Sequence, residues 1–136
     1  MPAIVEMPVI TTLYTGLNTL LIIALAMYVV VLRYRHKVGI GDGGVPELLR
    51  AIRAHGNALE YVPLTLIMML ALELNAVADT HLHAIGAVLL IGRLLHAWGL
   101  VRTSGTSPGR FLGTLSTWGI FIYAAVLCVK IGRAHV

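Results

Sequence analysis

The sequence predicts an all-α membrane protein, a bundle of four transmembrane helices, and three observations carry that expectation. Hydrophobic residues make up 58% of the 136 positions and charged residues only 12%, against roughly 45–50% and about 25% in a soluble domain. Apolar stretches follow one another with short polar connections, and a crossing takes about 20 helical residues for a core about 30 Å thick. Four crossings use up the chain, so residues 1–136 are expected to form one domain. The single cysteine, Cys128, lies within an apolar stretch, which excludes an intramolecular disulfide and a cysteine-rich metal site. On such a chain the net charge of +4 records topology and anionic lipid headgroups. Nucleic acid is not an expected partner.

Residues 8–32 carry no charge and run into Arg33, Arg35, His36 and Lys37, which sets a first helix at about 8–33. No basic segment precedes it and no Ala-x-Ala pattern follows, so it reads as a retained anchor and not a cleaved signal. Four glycines at 38–45 make the next stretch a loop. Pro46 and Glu47 then suit a helix start, the first by its fixed φ and the second by its charge at the positive dipole end, giving a second helix at 46–74. Its uncharged part, 61–72, spans only about 18 Å at about 1.5 Å per residue. To cross, this helix must carry Glu60, Asn57 and Arg53 into the bilayer region. The third helix, 82–102, places Arg93 near its middle with His96 beyond, and a Thr/Ser/Gly/Pro segment turns the chain into a fourth helix at 109–131. Loop one and its flanks hold Arg33, Arg35, Lys37 and Arg50, loop three adds Arg102 and Arg110, and loop two has no Lys or Arg. The excess assigns loops one and three to the cytoplasm.

At helical periodicity Arg50, Arg53, Asn57 and Glu60 fall within about 80° of one another, all on one face of the second helix. An intramembrane charge costs about 2.5–3.5 kcal/mol on insertion scales and normally faces the bundle interior with a partner. Counted from the second loop, Glu60 and Arg93 lie at similar depths, which predicts a Glu60–Arg93 ion pair with His96 as a second partner. One carboxylate cannot neutralise Arg50, Arg53 and Arg93 together, and the surplus of cation calls for an anionic ligand. The remaining polar and aromatic residues signal less. His55 is expected at an interface, His81 and His83 in solvent, and Tyr34, Tyr61, Trp98 and Trp118 in interface belts or helix packing. Gly86, Gly92 and Gly99 are expected to allow close helix approach. No residues have convincing metal-ligand spacing.

The run Arg53-Ala54-His55-Gly56-Asn57-Ala58-Leu59-Glu60-Tyr61-Val62-Pro63 resembles the signature of the MAPEG family, the membrane-associated proteins of eicosanoid and glutathione metabolism. Gly92-Arg93-Leu94-Leu95-His96-Ala97-Trp98-Gly99 resembles the family's third-helix block, and the glycine-rich first loop is similar to its small bacterial branch. The resemblance covers essentially the whole chain. It implies a four-helix protomer in the bacterial inner membrane, assembled as a homotrimer with glutathione at subunit interfaces. In active members glutathione is a co-substrate, conjugated to lipophilic electrophiles or used to reduce lipid peroxides. Carried over by position, Arg53, Asn57, Glu60, Tyr61 and Arg93 match glutathione-contacting or conserved basic positions. His96 and Leu100 stand where well-studied transferases carry tyrosines. The thiol-activating arginine maps to Arg110 or, with a shifted loop, Arg102. The reading of a different class is a non-catalytic membrane protein whose Arg/Asn/Glu cluster binds an anionic lipid or small anion, or only stabilises the trimer.

Overall fold

The computed structural model describes residues 7–134, and these form four helices: α1 (Val9–His36), α2 (Pro46–Leu74), α3 (Asp79–Arg102) and α4 (Pro108–Ala134). All four are long and apolar enough to cross a membrane. At about 1.5 Å per residue they run about 36–44 Å, longer than the apolar stretches alone. α1 continues past residue 33 to His36, α3 begins at Asp79 and not at 82, and α4 reaches Ala134. Charge at the helix ends accounts for part of this. Arg33, Arg35 and His36 occupy the last turn of α1, where the dipole is negative, and Asp79 the first turn of α3, where it is positive.

The first loop closes as its glycines require. Gly41, Gly43 and Gly44 all take positive φ, and a Cβ on Gly43 would lie 2.6 Å from Val38. Asp42 fixes the turn by accepting the Gly44 N–H at 2.9 Å.

The middle of the bundle belongs to α3. It and α2 each pair with all the other helices, while α1 and α4 do not pair with each other. Half of the apolar window of α3 is buried within the protomer, against 17% for α1 and α4, so the outer two helices present most of their surface to lipid or to another chain. The most extensive pairing is α3 on α4, and glycines make it close, as the sequence suggested. A Cβ added to Gly113 would sit 2.6 Å from the Gly92 carbonyl oxygen and 2.7 Å from the His96 backbone N. Backbone atoms cannot swing aside. Gly113→Ala is therefore expected to force α3 and α4 apart, at about 1–3 kcal/mol. Thermal unfolding in detergent measures it, with Gly119→Ala, where a Cβ meets nothing within 4 Å, as the harmless comparison.

At the opposite end from the glycine loop, α2 holds the start of α1. Pro8 precedes α1 without any side-chain cap, and the first turn of α1 has no acidic residue. Glu73 supplies what is missing, accepting the Ile10 N–H at 2.8 Å and the Thr11 N–H at 2.7 Å.

Candidate functional site

The site begins with the way α2 divides its circumference. Its buried residues include Ala51, Ala54, Ala58, Val62, Thr65 and Met69, and on the helical wheel these lie beyond Asn57, well round the axis from Arg53. Small alanines on that line let α2 approach its neighbours closely. The polar stripe thus borders the buried face and does not lie on it. Asn57 and Tyr61, toward the buried side, are half-buried, whereas Arg53 and Glu60, at the far edge, are exposed. Within one protomer, then, the stripe is covered only along its inner edge.

The expected Glu60–Arg93 ion pair is also absent. Glu60 faces outward and meets Arg53, 4.0 Å away, with both side chains more than half exposed. Arg93 is 2% exposed and is held by neutral oxygens. Its Nε and one terminal nitrogen donate to Thr117 Oγ1 at 3.0 and 2.7 Å, the latter nitrogen also donates to the Gly113 carbonyl at 3.0 Å, and the other donates to Asn57 Oδ1. Asn57 rather than Glu60 receives it because Asn57 leans toward the bundle. The hydroxyl of Thr117 is itself oriented, donating to the Gly113 carbonyl at 2.7 Å. Arg93 is thus a buried cation whose hydrogen bonds are met and whose charge is not.

Glu60→Gln is consequently expected to leave the stability of the isolated protomer within about 1 kcal/mol of wild type, as for an exposed pair. Thermal unfolding in detergent tests this. A loss of several kcal/mol in detergent that keeps the protein monomeric would restore the buried pair.

Tyr61 ties the cluster to α4. Its ring lies 5.5 Å from the Arg93 guanidinium carbon, a cation–π contact, and packs edge-on against Phe121 with centroids 5.8 Å apart. Its hydroxyl accepts the Trp118 indole N–H at 2.9 Å. Trp118, expected in an interface belt or in helix packing, therefore also positions a site residue.

A cavity of about 710 Å³ opens where α3 meets the start of α4, lined among others by His96, Thr106, Ser107, Arg110, Phe111 and Thr114. His96 is buried and shares the cavity lining with Arg110, and the positive charges of Arg93, Arg110 and Arg53 act on it. Arg110 is braced by the Ser104 and Gly105 carbonyls at 3.2 and 2.6 Å, and Arg50 donates to Ser104 Oγ at 2.8 Å. Arg102 turns the other way, its guanidinium 4.6 Å from the Trp98 ring centre. The cavity therefore takes Arg110 and not Arg102.

The sequence reading missed the α4 residues that hold Arg93. The signal was present, because Thr117 places a hydroxyl four residues beyond Gly113 inside an uncharged pass. His81 and His83 are exposed as expected, but each is engaged by a tyrosine, Tyr123 and Tyr14 respectively. Among the described residues no cluster of metal-ligating side chains occurs.

The chain is similar to known proteins. The chain is 44% identical over 90 residues to the inner membrane protein YecN of Escherichia coli strain K12, an overlap of 66% of this chain and 69% of that protein. The same identity and coverage hold for the inner membrane protein YecN of Escherichia coli O6:H1 strain CFT073. With its four spans, the chain is a multi-pass protein of the bacterial inner membrane. The family model for MAPEG matches residues 11–130, taking in the polar cluster, the α3–α4 seam and the cavity, and the chain belongs to the MAPEG family.

Proposed function

We propose that this protein binds glutathione at the His96–Arg110 cavity and the adjoining α2 stripe, and activates its thiol for attack on lipophilic electrophiles or hydroperoxides. The observation that carries the reading is the charge balance: Arg110 and His96 line one cavity, the positive charges of Arg93, Arg110 and Arg53 all act on His96, and the carboxylate beside Arg53 is Glu60. Glutathione has two carboxylates, one ammonium and one thiol. Its carboxylates answer Arg53 and Arg93, its ammonium answers Glu60, and its sulfur lies by Arg110. Asn57 and Tyr61, both half-buried on the stripe's inner edge, supply hydrogen bonds along the tripeptide.

Arg110 carries the chemistry in this scheme. A thiol of pKa about 8.5 is mostly protonated at neutral pH, and a guanidinium beside the sulfur favours the thiolate, which is the nucleophile. The sulfur then forms a bond to the electrophilic carbon as the leaving group departs with its electron pair. With a hydroperoxide it attacks the distal oxygen and the alkoxide leaves. The apolar second substrate reaches the site through the bilayer, past exposed Phe111 and Leu112.

The assembly belongs to the same proposal. Arg53 and Glu60 are exposed on a membrane-spanning helix, where lipid contact costs about 2.5–3.5 kcal/mol for each charge. A homotrimer covers them and lets a neighbouring subunit close the glutathione site.

Glutathione-dependent thermal stabilisation of the purified protein in mild detergent tests the binding. At 100 times Kd the gain is about 2.7 kcal/mol, and a glutathione diester, lacking both carboxylate charges, is expected to give almost none. No stabilisation by glutathione would overturn the proposal and leave the arginines to lipid or to assembly. Native mass spectrometry showing monomer alone would overturn the trimer.

A further inference from the structure

The cytoplasmic end of α1, as the Lys/Arg distribution assigns it, carries a second group of basic residues with no part in the site above. Val30, Arg33, Tyr34 and Lys37 fall within about 100° of one another on the helix wheel and, with Val38 and Gly39, line a recess of about 370 Å³. The acidic groups nearby are engaged elsewhere. Asp42 takes the Gly44 N–H, while Glu47 takes Tyr28 at 3.4 Å and His36 at 3.3 Å and lies 3.9 Å from Arg35. One terminal nitrogen of Arg33 donates to the Gly41 carbonyl at 2.8 Å. Among the described residues neither Arg33 nor Lys37 forms a salt bridge.

Above the recess the same face of α1 is an unbroken apolar ridge. Leu20, Ile23, Met27 and Val30 are each at least half exposed, and Tyr34, at the foot of the ridge, is 83% exposed. From Leu20 to Tyr34 the ridge rises about 21 Å, comparable to an extended acyl chain. Two unpaired cations, an exposed aromatic ring at the level of the helix's basic end and an apolar track running toward the membrane centre match one kind of molecule. A soluble anion has no use for the ridge, and a neutral lipid has none for the cations.

We propose that this face of α1 is a binding site for an anionic phospholipid of the cytoplasmic leaflet. Arg33 and Lys37 take its phosphate, Tyr34 packs beside the headgroup, and an acyl chain lies along Val30, Met27, Ile23 and Leu20. The site is separate from the glutathione reading and does not depend on it.

The test is a titration of the full-length protein in detergent with phosphatidylglycerol or phosphatidylcholine of matched chains, read as bound lipid by native mass spectrometry. A basic residue at a membrane surface is worth about fivefold in affinity for anionic lipid, so wild type is expected to prefer phosphatidylglycerol by roughly 25-fold. Lys37→Gln lowers the preference about fivefold, and Arg33→Gln with Lys37→Gln abolishes it. Because Arg33→Gln also removes the Gly41 bond, Lys37→Gln alone keeps the test valid if the double variant misfolds. Lys130→Gln with Arg133→Gln, which removes two positive charges from the far end of α4, leaves the preference intact. Equal binding of the two lipids, an unchanged preference in Lys37→Gln, an equal loss in the α4 variant, or competition by inorganic phosphate at the lipid's own concentration would each overturn the proposal.

Discussion

Arg110→Leu is expected to lower conjugation of a generic aryl halide by about 10²–10³-fold, the usual cost of removing one donor aimed at developing negative charge, while glutathione affinity changes little. In the proposed complex Arg53, Asn57, Glu60 and Tyr61 still hold the tripeptide, and Arg110 acts on the sulfur alone. Without the guanidinium the bound thiol returns toward its reference pKa of about 8.5. Thiolate absorbance of the complex at neutral pH therefore falls together with turnover. Arg102→Leu is the comparison. Its guanidinium is stacked on Trp98 and does not line the cavity, so both readouts should stay near wild type. A wild-type protein that binds glutathione with neither thiolate signal nor conjugation would reduce the proposal to a binding function. Equal losses in the two variants would mean that the loop, and not the cation by the sulfur, sets the rate.

The second large effect concerns Arg93. Asn57→Leu is expected to destabilise the protein by about 1.5–3 kcal/mol, because it leaves part of a buried guanidinium without an acceptor. Arg93→Leu should be milder. The Thr117 hydroxyl keeps its bond to the Gly113 carbonyl at 2.7 Å, and an unpaired neutral acceptor costs less than an unpaired cationic donor. The double variant Asn57→Leu, Arg93→Leu should be more stable than the sum of the two changes implies, and a double-mutant cycle in detergent reads that coupling. Simple additivity would show that the Asn57–Arg93 bond contributes nothing.

Four helices and their order were legible because charge-free stretches and glycine or Ser/Thr turns alternate so plainly along the chain. The polar cluster was legible for a related reason, since α2 is too short in uncharged residues to cross without Asn57 and Glu60. Partners were harder to read. Depth along two helices can be counted, but which residue faces the neighbour depends on rotation about each axis. That rotation is set by the packing of Ala51, Ala54 and Ala58, which buries the side of α2 lying beyond Asn57 and turns Glu60 outward. Helix ends were off by up to three residues, because hydropathy marks the bilayer and hydrogen bonding marks the helix. The acceptors on α4 went unread since Gly113 and Thr117 contribute a backbone carbonyl and one hydroxyl, which composition counts as nothing.

The clasp of Glu73 on the first amides of α1 also has a chronology. Ile10 and Glu73 are 63 positions apart, and at about 5–20 residues per second of synthesis the first helix waits roughly 3–13 s for its clasp. During that interval α1 stands in the membrane with neither α2 nor α3 complete beside it. An early helix carrying an Arg or Glu at depth would have no partner to answer it then. The charge-free run at 8–32 fits that order: of α1, α2 and α3, the one made before its partners is the one that carries no charge at depth.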